Sequence, residues 1–209
     1  MVNRAKYIKE IEYLNRYYGQ EFKENQGTEY ILDIINKFTI SGNMIDFGSG
    51  SNIYFWLLAT NDISEVVCVD ISKEAFEINR KIQSGEIFPK SYTYPLKKYN
   101  KSLKNILSTP IKYVIADVFK DDIKLETYDN VTQFGLLGLS KNANAYIKNF
   151  LTLWSFLKNG GIFLGANWIF SKTYSVEKGY SNLLFLKKVK IYNDPNYDFV
   201  LIYCIKKTQ

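Results

Sequence analysis

Histidine is absent from this sequence, and its absence removes a large block of chemistry. Ser-His-Asp and Cys-His nucleophile systems, zinc held by imidazole, and histidine proton shuttles are all out of reach. Any reaction has to draw on carboxylates, tyrosines, lysines, amides or a bound cofactor. Cysteine is nearly absent too. Cys68 and Cys204 both sit in strand-like apolar runs, which reads as buried free thiols in a reducing compartment, not as a disulfide or a metal pair. The longest apolar runs, residues 54–59 and 199–205, fall far below the ~20 residues that span a bilayer, so no membrane partner is expected. The opening MVNRAKYIKEIEY carries charges where an export signal has its apolar core, and a cytoplasmic location is the expectation. Four prolines and twelve glycines exclude collagen-like and low-complexity classes.

Hydrophobic residues make up 46% of the 209 positions and charged residues 23%, enough to bury the core of one α/β domain spanning residues 1–209. The net charge of +6 is spread widely, with a local run at Lys97, Lys98, Lys101 and Lys104. That run reads first as a solvated face and second as a contact for an anionic partner; no nucleic-acid motif accompanies it.

Along the chain, Tyr7, Ile11, Leu14 and Tyr18 recur at helix spacing, and so do Ile31, Ile34, Ile35 and Phe38 after a break at Gln26-Gly27-Thr28. Residues 1–40 are therefore expected to be helical. Residues 43–47 read as a strand running into Gly48-Ser49-Gly50, and residues 54–60 as a helix. A second buried strand over 66–69 ends in Asp70, with Ser72 as N-cap of the next helix. Residues 83–109 lose periodicity and read as an insertion outside the core. Strands follow at 111–116 and 130–134, then a helix over 143–157 that Gly160-Gly161 breaks before a strand at 162–166. Residues 188–192 and 197–205 flank Asn193-Asp194-Pro195-Asn196 as a closing antiparallel hairpin. This alternation implies a Rossmann-like, doubly wound, mostly parallel sheet, with ligands at the carboxyl ends of its strands.

The chemistry gathers at Ile45-Asp46-Phe47-Gly48-Ser49-Gly50, because glycines at a strand-to-helix turn let backbone N–H groups approach a ligand with no Cβ in the way. Asp70 lies roughly twenty residues further on, where a carboxylate can accept hydrogen bonds from ribose hydroxyls. Asp117 closes the third strand and Asp129 opens the fourth, and all these carboxylates are expected to converge on one crevice.

These motifs resemble those of the class I, Rossmann-like S-adenosylmethionine-dependent methyltransferases. The match runs through the glycine motif, Val69-Asp70, Ala116-Asp117-Val118, and Leu157-Lys158-Asn159-Gly160-Gly161. Within that class the chain is similar to the nicotinamide, phenylethanolamine and indolethylamine N-methyltransferases, on Tyr13-Leu14-Asn15-Arg16-Tyr17-Tyr18, Ile53-Tyr54 and the stretch from Tyr146 to Gly161. The resemblance implies S-adenosylmethionine as cofactor and an N-terminal helical lid. It places Tyr13 and Tyr18 against the cofactor, Gly48 and Tyr54 around its methionine part, Asp70 at the ribose, and Asp117 and Val118 at the adenine, with Asp46, Ser49, Gly50 and Ile71 as further cofactor-binding residues. Tyr54 also fits a helix-core position, and Tyr13 and Tyr18 also fit the packing face of an amphipathic helix.

Two departures bear on the reaction. Where the nicotinamide-type enzymes place an acceptor-contacting Asp after the fifth strand, this chain has Asn167, either an acceptor ligand or a turn residue. Residues 171–186 are also too few for the long lid that usually covers the acceptor. The expected reaction is methyl transfer to a small-molecule nucleophile, an amine in the first instance. A second reading keeps the cofactor and breaks another bond, by aminocarboxypropyl transfer or by cyclisation of the methionine moiety to azetidine-2-carboxylate, with Asn167, Gln133 and Tyr174 bending or desolvating the methionine tail. A third is an inert subunit with the same fold, against which the intact Gly48, Gly50, Asp70 and Asp117 set argues.

Overall fold

The computed structural model describes residues 9–39, 41–169, 185–191, 197 and 199–208. Tyr7, Tyr174 and the turn at 193–196 lie outside the described residues. Seven strands, β1 (Gly42–Phe47), β2 (Ile63–Asp70), β3 (Ile111–Ile115), β4 (Tyr128–Phe134), β5 (Leu157–Ile169), β6 (Phe185–Lys190) and β7 (Phe199–Lys206), form one sheet in the order β3-β2-β1-β4-β5-β7-β6. The first five strands pair in parallel, and β7 inserts antiparallel between β5 and β6. This is the expected α/β sheet with its antiparallel close. The order reverses at β1, which leaves a crevice above the carboxyl ends of β1 and β4.

Alternation along the strands divides the core in two. Met44, Val66, Cys68, Leu164 and Ile202 point to one face, beneath α1 (Glu10–Tyr17), α2 (Thr28–Phe38), α3 (Ile53–Leu57) and α4 (Lys73–Gln83). Ile45, Val67, Val131 and Phe163 point to the other, beneath α7 (Ala143–Ser155). Each fully buried side chain of this size contributes about 1.5–3 kcal/mol. Ser72 caps α4 as expected, accepting from the Ala75 N–H at 3.1 Å, and Asn142 caps α7 in the same way. Both cysteines are free.

The structure corrects three expectations. Residues 83–109 carry a 3-10 turn (Lys90–Tyr92) and two short helices, α5 (Thr93–Lys98) and α6 (Leu103–Leu107), and they feed the core: Tyr92 has no exposed surface and packs on Phe55. The fifth strand does not wait for the glycine pair. It starts at Leu157, takes up Gly160 and Gly161 as a register irregularity, and runs on to Ile169 because β7 pairs with it to the end. Asn167 thus lies inside the strand, opposite Leu201. Asp129 belongs to the other end of the sheet: it accepts from the Asn43 N–H at 3.0 Å and pairs with Lys158 at 3.1 Å, tying the amino ends of β1, β4 and β5 together. A residue that opens a parallel strand cannot share a crevice with residues that close its neighbours.

Candidate functional site

The turn after β1 depends on two glycines. Gly48 and Gly50 have φ of +69° and +53°, and a Cβ on Gly48 would come within 3.0 Å of the Leu136 side chain. The Gly48 N–H donates to the Val69 carbonyl at 2.8 Å, which folds the loop back over the end of β2. Asp70 then clamps it. One carboxylate oxygen accepts from the Gly50 N–H at 2.9 Å and the other from the Ser72 N–H at 2.8 Å, so a single side chain binds the glycine loop to the start of α4. The Asn79 amide donates to the Gly50 carbonyl from below at 2.8 Å. Ser49 caps the turn, its hydroxyl donating to the Asp46 carbonyl.

Asp46 is buried beneath this loop. Desolvation pushes its carboxyl up to about 7, against hydrogen bonds from Thr132 and Ser49 that pull it down, with Asp70 adding a smaller upward push. The Thr132 hydroxyl donates to it at 2.6 Å across the β1–β4 seam.

The β2–β3 side of the crevice is partly apolar. Ile71, directly after Asp70, is 54% exposed, an unusual surface for an isoleucine with no described neighbour covering it. The ends of β2 and β3 are joined by the Ala116 N–H donating to the Asp70 carbonyl, which brings Asp117 and the buried Val118 to the same rim. Lys120 holds the Asp117 carboxyl below its ordinary range, helped by the Phe119 N–H.

The N-terminal helix reaches this site through tyrosines. α1 ends at Tyr17, and Gly19 turns the chain, its N–H donating to the Leu14 carbonyl; a Cβ there would meet the Asn15 carbonyl at 2.7 Å. That break at the helix end lets Tyr13 and Tyr18 approach each other, with ring centroids 6.3 Å apart. With its amide oriented to satisfy its neighbours, Asn52 accepts from the Tyr18 hydroxyl at 2.5 Å and from Trp56 Nε1 at 3.0 Å, and donates to the Ser49 carbonyl at 3.0 Å. Burial pushes both phenols well above the ordinary tyrosine range, Tyr13 and Tyr18 alike, so they stay protonated. Tyr54 takes the packing role. It is fully buried in α3 and its phenol, pushed up to about 12 by burial, faces Tyr113.

On the β4–β5 side, Gln133 and Asn167 have no exposed surface. Gln133 Nε2 donates to the Tyr203 hydroxyl at 2.6 Å and to Asn167 Oδ1 at 3.3 Å, while its Oε1 accepts from the Leu137 N–H at 3.0 Å. Asn167 Nδ2 donates to the Tyr146 hydroxyl at 3.1 Å. The four side chains make one sealed network beneath the 3-10 turn Leu136–Leu139. Sequence reasoning brought Gln133 and Asn167 together, as the structure does, and overlooked Tyr146 and Tyr203, whose part depends on contacts 21 and 70 residues away in sequence.

By sequence the chain matches no family model and no curated protein. Its backbone does match solved structures. It superposes on the N-methyltransferase NodS from Bradyrhizobium japonicum WM9, solved with S-adenosylhomocysteine, at TM-score 0.57 and 10% identity, over 97% of this chain and 100% of that one. An S-adenosylmethionine-dependent methyltransferase from Clostridium acetobutylicum ATCC 824 gives 0.54 and 14%, over 89% and 92%. The DhpI–SAM–HEP complex gives 0.50 and 12%, over 87% and 71%.

The fold is that of the class I methyltransferases. Within this methyltransferase fold the residues present suit an S-adenosyl nucleoside: a turn with no side chain in the way at Gly48 and Gly50, a clamped carboxylate at Asp70, an apolar face on Ile71, and a fully buried Ser51 hydroxyl with no close hydrogen-bond partner among the described residues. Among the described residues, no helix is long and apolar enough to cross a membrane.

Proposed function

We propose that this chain binds S-adenosylmethionine in the crevice over β1, β2 and β4 and transfers its methyl group to a small-molecule nucleophile, an amine in the first instance. The observation that carries this reading is the Asp70 clamp, which holds the glycine loop and the ribose-facing carboxylate as one rigid unit at the switch point of a methyltransferase sheet. Bound there, the cofactor supplies a methyl group activated on a sulfonium.

The chain's own part is to bind and align. Asp70 accepts from the ribose hydroxyls with the lone pairs its two backbone donors leave free. Ile71 and Val118 face the adenine ring, with Asp117 at its polar edge. The glycine turn, with no side chain at Gly48 or Gly50, faces the methionine end, and Tyr13 and Tyr18 close over it. Because those phenols stay protonated, they offer the sulfonium an aromatic face without competing as nucleophiles. A neutral amine needs no strong base to attack a sulfonium methyl, so alignment and exclusion of water account for most of the rate, and the lack of histidine costs little. The likeness to NodS, an N-methyltransferase, is in keeping with an amine acceptor.

One observation favours a second reading. Gln133 and Asn167 have every named hydrogen bond directed at protein neighbours and no exposed surface, so neither amide reaches an acceptor as the side chains stand. A reaction within the methionine moiety, by cyclisation or aminocarboxypropyl transfer, needs less of the acceptor side. One experiment separates the readings: incubate the protein with S-adenosylmethionine alone and with amine pools, and identify the nucleoside product by mass. Adenosylhomocysteine that forms only with amine supports methyl transfer. Methylthioadenosine from the cofactor alone establishes the second reading, and no product from any mixture removes both.

A further inference from the structure

The Asn52 amide stands where the lid meets the glycine loop, and two of its three partners have no choice of hydrogen-bond direction. The Ser49 carbonyl can only accept, and Trp56 Nε1 can only donate. Nδ2 must therefore face Ser49, 3.0 Å away, and Oδ1 must face Trp56, also at 3.0 Å. The third partner, the Tyr18 hydroxyl, lies 2.5 Å from the same Oδ1. Two oxygens that close need a proton between them. A carbonyl-type oxygen has none to give, so the proton is the phenol's.

Tyr18 is also held so that it cannot turn away. Its backbone carbonyl accepts from the Ser91 N–H at 3.1 Å, and its ring meets Phe55 edge-on with centroids 4.9 Å apart. The phenol oxygen thus has a fixed place and a fixed polarity: its one proton is committed to Asn52, and toward a ligand it presents lone pairs alone. Giving that proton away also makes the oxygen a better acceptor. The methionine end of the cofactor offers two unlike groups. Its carboxylate brings acceptors only, and would meet the Tyr18 oxygen lone pair to lone pair. Its α-ammonium brings three donors and a positive charge. The ammonium fits this oxygen and the carboxylate does not.

We propose that Asn52 is a positioning residue that fixes Tyr18 as an acceptor, and that the Tyr18 oxygen binds the α-ammonium of the cofactor's methionine moiety. This rests on the cofactor reading above and deepens it by assigning the polarity of the methionine subsite. One side chain then does two things: its ring faces the sulfonium and its oxygen holds the amine. Asn52, which touches neither, sets the second through the direction of a single hydrogen bond.

The test is calorimetry with three ligands: S-adenosylhomocysteine, its analogue lacking the α-amino group, and its analogue lacking the α-carboxyl group. Each is titrated into the wild type, Tyr18→Phe, Asn52→Ala and Asn52→Asp, with melting temperatures recorded. The wild type should lose roughly tenfold in affinity when the amino group is removed. Tyr18→Phe should bind the parent about tenfold more weakly, lose little more when the amino group goes, and keep the full penalty for losing the carboxyl. Asn52→Ala releases the Tyr18 proton, so its amino-group penalty should shrink to about twofold; Asn52→Asp, which keeps an acceptor for Tyr18, should retain it. Tyr18→Phe preserves the ring on Phe55 and decides the contact even where an Asn52 variant does not fold. Unchanged parent affinity in Tyr18→Phe overturns the proposal. So does a loss equal for all three ligands, since Tyr18 would then act through the lid, and so does a loss that disappears with the carboxyl group, which assigns Tyr18 to the carboxylate. An amino-group penalty of wild-type size in Asn52→Ala overturns the role of Asn52. A wild-type protein that does not bind S-adenosylhomocysteine at all overturns the cofactor reading itself, and the proposal with it.

Discussion

On the β1–β2–β3 side of the crevice, Asp70, Ile71 and Asp117 keep surface free at the rim, and the Ser51 hydroxyl lacks a close partner among the described residues; on the β4–β5 side, Gln133 and Asn167 are sealed in bonds to Tyr203, Tyr146 and Leu137. Both sides end in polar residues that a sequence reading takes for site residues. Only the first has hydrogen-bonding capacity and apolar surface left over for a ligand. The second uses its polar groups to hold the turn Leu136–Leu139, and Leu136 in turn packs against Gly48. A polar residue at a strand end therefore signals a site only when its partners have been accounted for.

Asp46 lies where the two sides meet, since it stands on β1 and receives its hydrogen bond from Thr132 on β4. It gives the largest expected effect. In the folded chain this carboxyl ionises at about 7, against an ordinary value of 3.8. Between those values the folded state holds a proton that the unfolded state has released. Stability is therefore highest while Asp46 is protonated, falls as pH rises through that window, and above pH 7 carries the whole cost, on the order of 4 kcal/mol as an upper bound. Asp46→Asn keeps an acceptor for Thr132 without the charge. Its melting temperature should exceed the wild type's at pH 8, with the gap narrowing as pH falls towards 3.8. Two melting curves with a constant gap from pH 5 to 8 would show that Asp46 does not titrate in the folded protein.

The next effect sets two aspartates at opposite ends of the sheet against each other. On the proposed cofactor placement, Asp70→Ala should cost about 2–4 kcal/mol in S-adenosylhomocysteine binding, roughly 30- to 1000-fold, through lost charge-assisted bonds to the ribose. Asp129→Ala breaks a half-exposed pair with Lys158 at the amino end; it should lower the melting temperature and leave binding within about twofold. Calorimetry and melting on both variants give the comparison directly. Equal losses of affinity would mean that binding does not localise to the carboxyl end.

How far the sequence reached depends on how local each feature is. The glycine loop, Asp70 and the Ser72 cap were legible because each is decided by a few adjacent residues: a turn needing positive φ, a carboxylate closing a strand, a hydroxyl before a helix. The break after Tyr18 was legible from Gly19 for the same reason. Asp129 was misplaced because a strand has two ends, and only the direction of the chain says which end faces the crevice. Asn167 was misplaced because the length of β5 is decided by β7, whose pairing carries the strand to Ile169. Tyr54 was uncertain because one short helix presents side chains to both core and loop, and Tyr113 on β3 decides between them.

Asn167 carries the smallest and most discriminating expectation. Replacing it with alanine removes the donor to the Tyr146 hydroxyl and one acceptor for Gln133. Gln133 keeps its bonds to Tyr203 and to the Ala166 carbonyl, so the network is weakened and not dismantled. A lost buried hydrogen bond of this kind costs about 1–3 kcal/mol, and a domain of this size melts about 2–4 °C lower per kcal/mol. Asn167→Ala should therefore melt several degrees lower while binding S-adenosylhomocysteine within about twofold of the wild type. The rate of a single turnover, measured well below the melting transition, decides what the amide is for. If rate and affinity both hold while stability falls, the β4–β5 side is core by construction and its two amides only support the turn above them. If stability holds and the rate falls, the network opens during the reaction and Asn167 meets the reacting group, which would erase the contrast between the two sides of the crevice.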